Sequence, residues 1–280
     1  MLKTAFSLVL LLAVCACQAA APPIKLYAFD CGTLKSGNPA PLLEHGLTTT
    51  DMSVAAYLIV HPRGVLLWDT GVIPDAMIQP GGTTSFRATV QKTLQSQLAE
   101  IGYKPSDINF LALSHYHYDH SANANAFAAS TWLVQKTERE LMFSGTLGPS
   151  SPNSPASEAV IARFAALQNS KTTLLDGDYD VFGDGTVVII STPGHSPGHQ
   201  SLFVNLPKTG AVVLTGDLYH YPAERESKDF TPFAALGNPA MEAASKQKIE
   251  ALLVQKHADL WIQHDLIANR NVKKSPAFYE

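Results

Sequence analysis

The chain has 280 residues, 20 of them basic and 24 acidic, and a formal net charge of −4. With no Lys/Arg cluster, that balance argues against a nucleic-acid partner, since phosphate binding calls for a basic face. A hydrophobic content of 46% against 16% charged residues is that of a globular enzyme with a large core.

At the N-terminus, Lys3 precedes an apolar run from Ala5 to Val14 and small residues through Ala21, the pattern of an export signal. The run is too short for a permanent membrane-spanning helix. Two readings compete: cleavage between Ala19 and Ala21, or a lipoprotein signal in which Val14-Cys15-Ala16-Cys17 leaves Cys17 lipidated. Simple export is favoured, because Cys15 is an unusual residue for a lipobox. Simple export makes residues 1–21 the leader, and either reading puts the mature protein outside the cytoplasm, periplasmic or secreted. With the leader removed, Cys31 has no disulfide partner and reads as a small buried residue.

Residues 24–29 alternate and predict a first strand ending at Asp30-Cys31-Gly32. Residues 54–60 and 65–68, around the turn His61-Pro62-Arg63-Gly64, predict a hairpin closing at Asp69-Thr70-Gly71. Phe86, Val90, Leu94, Leu98 and Ile101 recur at helical spacing, stopped by Gly102. Leu111-Ala112-Leu113 reads as the end of a buried strand. Beyond it come a short helix over 121–128, a strand over 131–134 and a helix over 137–143. The stretch 144–157, rich in Ser, Pro and Gly, predicts a loop of the length that lids use. A helix over 158–167 and a run of strands through Leu214 follow. The last helix, over 239–257, has Met241, Ile249, Leu252 and Leu253 on one side.

The densest chemistry is in Ser114-His115-Tyr116-His117-Tyr118-Asp119-His120, where four potential metal ligands directly follow an apolar run. His-x-His projects two imidazoles from alternate residues, and Asp-His can turn to a second centre. One ion cannot easily take all four. Thr192-Pro193-Gly194-His195, Thr215-Gly216-Asp217 and Gln263-His264-Asp265 each follow a further apolar run, so every candidate ligand falls at a strand end. Imidazoles and carboxylates without thiolates suit zinc and tolerate manganese, iron or cobalt.

HxHxDH, TPGH, TGD and a final HD, in that order, resemble the metallo-β-lactamase superfamily of binuclear metal hydrolases, from about Ile24 to the C-terminus. The resemblance implies a single α/β domain over 22–280 built as a four-layer αβ/βα sandwich. It assigns His115, His117 and His195 to one metal, Asp119, His120 and His264 to a second, and Asp217 as the bridge. Two divalent ions, zinc by default, would then activate a shared hydroxide for hydrolysis. Asp119 would orient that hydroxide and carry its proton to the leaving oxygen.

Within the superfamily, Phe29-Asp30-Cys31-Gly32 and the stretch from Thr192 to Ser201 look like the N-acyl-homoserine lactone lactonases, the quorum-quenching branch. That branch often has a tyrosine three residues after the bridging aspartate, where this chain has His220. His220 can take the same role through a ring N–H, with Tyr219 or Tyr221 as substitutes. Asp69 is read as a carboxylate holding a ligand histidine, and His199 as packing behind the ligands. His45, His61 and His257 read as surface or capping residues. Met142 and Phe143, with Ile73, Met77, Ile78, Phe86, Leu141 and Leu147, are candidates for an apolar acyl-chain cleft.

A small-molecule lactone is the expected partner. A homodimer is left open, and membrane contact is expected only if Cys17 is lipidated. The enzymatic rivals are an organophosphate or aryl-ester hydrolase and a β-lactamase of the same superfamily. The non-enzymatic rival is an exported metal-binding protein. Asp69-Thr70-Gly71 imitates an aspartic-protease motif, but the second carboxylate motif that such chemistry needs is missing.

Overall fold

The computed structural model describes residues 23–85, 87–144, 162–227, 229–233 and 237–280. The leader expected over 1–21 lies outside the described residues, as do Phe86, Leu147, the greater part of the loop expected over 144–157 and the start of the helix expected at 158.

Alternation along the strands decides the layering. In the second strand, Val54, Ala56 and Leu58 face one apolar cluster and Ala55, Tyr57 and Ile59 another, as successive side chains must. The first sheet contains β1 (Lys25–Lys35), β2 (Asp51–His61), β3 (Gly64–Trp68), β4 (Thr83–Ser85), β5 (Ala88–Val90), β6 (Phe110–Ala112), β7 (Thr131–Gln135) and β8 (Thr172–Leu175). Its order is β4-β5-β1-β2-β3-β6-β7-β8, with β3, β6, β7 and β8 mutually parallel.

The second sheet contains β9 (Tyr179–Asp180), β10 (Val187–Ser191), β11 (Gln200–Leu206), β12 (Gly210–Leu214) and β13 (Asp259–Trp261), in the order β13-β12-β11-β10-β9. Only β12 and β13 pair in parallel there. Val187, Ile189, Leu202, Val204, Val212 and Leu214 pack inward against Leu26, Tyr57, Leu66 and Trp68 of the first sheet. Burying each such side chain stabilises the domain by roughly 1.5–3 kcal/mol.

Helices cover both outer faces. α1 (Pro39–Glu44), α2 (Leu94–Glu100), α3 (Tyr118–Ser121) and α4 (Lys136–Phe143) lie along the first half of the chain, and Leu42, Leu94, Leu98 and Met142 join the outer core of the first sheet. α5 (Ala223–Glu226), α6 (Pro239–Lys256) and α7 (Leu266–Asn269) follow, and α6 buries Ile249 and Leu253 against the second sheet. Helix, sheet, sheet, helix is the expected four-layer α/β sandwich. Among the described residues no helix is long and apolar enough to cross a membrane.

Several expectations need correction. The periodic run to Ile101 is helical only over 94–100, where Thr93 caps α2 by accepting the Ser96 N–H. Val90 instead belongs to β5, which pairs with Thr33 and Leu34 of β1, so tertiary pairing overrides the helical spacing. The helix expected over 121–128 splits into α3 and a 3-10 turn at Ala124–Phe127. Met241 is exposed on α6, whereas Glu242 and Ser245 are buried. His61 is not a surface residue: it is 7% exposed, stacked on Phe182 and 3.0 Å from Asp184. His257 does cap a helix, closing α6 in the left-handed region at φ 50°.

Candidate metal centre

The seven candidate ligands follow the C-terminal ends of β6, β10, β12 and β13 and converge in two groups. His115, His117, His195 and Asp217 form one group and Asp119, His120, Asp217 and His264 the other, with the donor atoms of each group within 4.8 Å of one another. All seven side chains are buried.

The split within HxHxDH follows from local structure. His115 leaves β6 in the loop, His117 stands at the N-cap of α3, and Asp119 and His120 lie within the α3 turn. The turn carries the second pair away from the first. His115 Nε2 and His117 Nδ1 are 2.7 Å apart, and His117 Nδ1 and His195 Nε2 are 3.0 Å apart. Asp217 Oδ2 lies 3.3 Å from His195 Nε2, while its Oδ1 lies 2.9 Å from His120 Nε2 and 3.0 Å from His264 Nε2. One carboxylate thus faces both groups. Asp119 Oδ2 completes the second at 3.4 Å from His264 Nε2.

Partners behind the rings orient them. Asp69 Oδ2 accepts from His120 Nδ1–H at 2.9 Å, and the Ser53 carbonyl accepts from His264 Nδ1–H at 2.8 Å, so both Nε2 atoms are aimed inward. Asp69, fully buried, also accepts the Ser114 N–H at 2.6 Å and the Gln263 side-chain N–H at 2.9 Å. Gln263 Oε1 in turn accepts from Trp68 Nε1 at 3.1 Å and from the Gly216 N–H at 2.9 Å, lacing the two sheets beneath the site. Gly216 has φ 55°, and a Cβ there would come within 2.7 Å of His199 Nε2 and Ser114 Cβ. Only glycine fits that turn.

Charge distribution suits cations. Burial, reinforced by neighbouring imidazoles, pushes His115 and His117 well below the usual histidine range, so both are neutral donors. Burial alone would raise Asp217, but His120 and His264 outweigh it and hold the carboxyl well below its usual range. His120 Nε2 and Asp217 Oδ1 are buried without a hydrogen-bond partner. Buried orphan atoms are costly in a native fold. Here they lie 2.9 Å apart without hydrogen-bond alignment, in a donor set of imidazoles and carboxylates that fits divalent ions of the zinc class.

Above the ligands lies a cavity of about 470 Å³ whose wall includes Leu34, Leu42, Met52, Phe233, Lys35 and Arg87. His220 reaches its floor, with Nε2 3.2 Å from Asp217 Oδ2 and its ring packed 3.9 Å from that of Phe233. Burial would lower the His220 pKa, but the Asp217 and Glu224 carboxylates outweigh it and push it up to about 10. His199 is behind the ligands, its Nε2 accepting the Asp217 N–H.

Four candidate substrate contacts lie elsewhere. The Tyr219 hydroxyl donates to Glu250 on α6, and the Tyr221 hydroxyl donates to the Thr50 carbonyl. Met142 belongs to the outer core of the first sheet, and Phe143 packs edge-on against Trp132 and Phe164. Their polar atoms and rings are engaged away from the cavity lining. Met77 is 52% exposed and Ile73 is core, so the expected cleft is replaced by the wall around Leu34, Leu42, Met52 and Phe233. Sequence reading missed Ser53, Gln263, Glu138 and Glu224. Gln263 carried a signal in its place beside His264. Ser53 carried none, since it acts across 211 positions through its carbonyl.

A family model described as the metallo-beta-lactamase superfamily matches residues 49–256. The N-acyl homoserine lactonase AttM of Rhizobium radiobacter is 31% identical over 268 residues, covering 91% of this chain and 98% of AttM. AiiA of Bacillus thuringiensis subsp. kurstaki, also an N-acyl homoserine lactonase, is 26% identical, covering 81% and 87%. A solved N-acyl homoserine lactone hydrolase, with the product N-hexanoyl-L-homoserine at its catalytic metal centre, superposes with a TM-score of 0.70 at 26% identity, covering 91% and 98%. Ligand-bearing strand ends, four layers and similarity along nearly the whole chain agree, and this protein belongs to the metallo-beta-lactamase superfamily.

Proposed function

We propose that the protein is a two-metal hydrolase that opens the lactone ring of N-acyl-homoserine lactones. The observation that carries this reading is Asp217, whose two carboxylate oxygens face separate histidine groups at the floor of a cavity open to a small molecule. Similarity over nearly the full length of proteins named as lactonases supports the substrate class.

His115, His117 and His195 would hold one ion, Asp119, His120 and His264 the other, and Asp217 both. Bound there, divalent ions supply an acidified water and a Lewis acid for the carbonyl. Asp119, 6% exposed and facing the cavity, takes one proton from the attacking water on a carboxylate oxygen. It returns that proton to the ring oxygen as the C–O bond breaks, so one water yields one carboxylic acid and one hydroxyl, and the acid then releases its own proton to solvent. His220 donates from Nε2 towards the bound ester, and Phe233 keeps its ring in place. Apolar Leu34, Leu42 and Met52 exclude water around the acyl chain. The leader-like N-terminus supports action outside the cytoplasm as part of the same reading.

The test uses purified, zinc-analysed protein assayed on short- and long-chain N-acyl-homoserine lactones, nitrocefin and paraoxon. Lactone opening should dominate and should fall by about 10²–10⁴-fold in Asp119→Asn. Preference for nitrocefin or paraoxon, or turnover indifferent to Asp119→Asn, would overturn it.

A further inference from the structure

Glu138 sits in the first turn of α4, is 2% exposed, and belongs to neither ligand group. Its Oε1 accepts the backbone N–H of Tyr116 at 2.9 Å, between His115 and His117. Its Oε2 accepts the Ser196 hydroxyl at 2.7 Å and the Gly198 N–H at 2.8 Å, just beyond His195. One carboxylate therefore joins a strand-end loop of the first sheet to one of the second.

The groups it joins all donate, and only an ionised carboxylate can accept from every one of them. An amide would turn its own N–H towards at least one arm. The fit around this tie is close. A Cβ at Gly198 would stand 2.5 Å from the Glu138 backbone nitrogen, and Thr137 Oγ1 donates to the Pro197 carbonyl at 3.1 Å. From the other side, α6 fixes the same loop where Ser245 Oγ donates to the Pro193 carbonyl at 2.7 Å. His120 and His264 are held differently, by Asp69 and the Ser53 carbonyl.

We infer that Glu138 is a positioning residue that sets the spacing of His115, His117 and His195, and so governs retention of the metal in that group alone. The inference rests on the two-metal reading above. Loosening the tie separates His117 from His195, which come from different sheets, while the Asp119, His120 and His264 group keeps its own supports.

The test measures zinc per chain in the full-length protein at pH 8, above the value of about 7 at which the buried Glu138 carboxyl ionises, during competition with a chelator. Wild type should hold two zinc ions, and Glu138→Gln should hold one normally while binding the other about 10–100-fold more weakly. Ser196→Ala, which removes a single arm, should weaken the same ion to a smaller degree. Leu253→Ala, a core change on α6, should lower the melting temperature and keep both ions. Adding His264→Ala to Glu138→Gln should leave neither ion held normally, because the two changes strike different groups. Two ions held normally by Glu138→Gln, equal weakening of both by that change alone, or one ion held at wild-type strength by the double variant would overturn the inference alone. A wild type that never reaches two ions would overturn the functional reading and this inference with it.

Discussion

His199 Nε2 accepts the backbone N–H of Asp217 at 3.0 Å. For that nitrogen to accept, the ring proton must be on Nδ1, which faces the Thr192 carbonyl at 3.0 Å. Burial, helped by the nearby His195, pushes His199 down to about 3, so the ring stays neutral at working pH. His199→Ala strands the buried N–H of Asp217, costing about 1–3 kcal/mol. Thermal unfolding should move down by several degrees and zinc per chain should fall. Unchanged values of both would show that the contact does not position Asp217.

Asp69→Asn should weaken zinc binding by about 10–100-fold. Asp69 accepts from Ser114, His120 and Gln263, and asparagine turns an N–H towards one of them. Its backbone is left-handed, with φ 59°, which asparagine tolerates, so a loss reports the missing oxygen rather than strain. Chelator competition reads it directly.

His220 and Tyr221 separate by the partners of their polar atoms. His220→Phe should cut kcat/KM on lactones by about 10–100-fold, the worth of one buried hydrogen bond to the reacting group, with zinc content unchanged. Tyr221→Phe should leave both kcat and KM within about twofold, because its hydroxyl serves the Thr50 carbonyl. Steady-state kinetics on both variants distinguish these roles, and a larger loss in Tyr221→Phe would reverse them.

Glu138 links stability to pH. Burial pushes its carboxyl from the ordinary 4.5 up to about 7, despite the hydrogen bonds it accepts from Ser196, Gly198 and Tyr116. Between those values the unfolded chain has released the proton and the folded chain still holds it, so stability falls as pH rises. The full loss is on the order of 3 kcal/mol. In denaturant titrations of the chelated protein, the stability of wild type minus that of Glu138→Gln should decline from pH 4.5 to 7 and then flatten. A rising difference would contradict the burial argument.

Chelation should itself destabilise the fold, because the ligands come from both sheets. At zinc a hundredfold above its dissociation constant, the ions contribute about 3 kcal/mol per site. A melting temperature that ignores both chelator and zinc would count against cations binding between the sheets.

The convergence of the candidate ligands was legible because each motif is short and stands where an apolar run stops, as His115 does after β6 and Asp217 after β12. Layering was legible in part: alternation marks strands, but nothing in Ala88-Thr89-Val90 announces pairing with β1, and its spacing imitates α2. The cavity wall was not legible. Leu34 comes from β1, Leu42 from α1, Met52 from β2 and Phe233 from beyond α5, so no local pattern joins them. Glu138 was hidden for a related reason, since what it holds are backbone and hydroxyl groups of residues far away in sequence.

That dispersal has an evolutionary corollary. Groups that would break the bond are rooted in the sandwich interior, whereas groups that shape the chamber mouth ride on separate stretches of polypeptide. Selection for a bulkier or shorter ester should therefore accumulate changes at Leu34, Leu42, Met52 and Phe233 and spare the histidines. Taste in this scaffold can drift while its reactivity stays fixed.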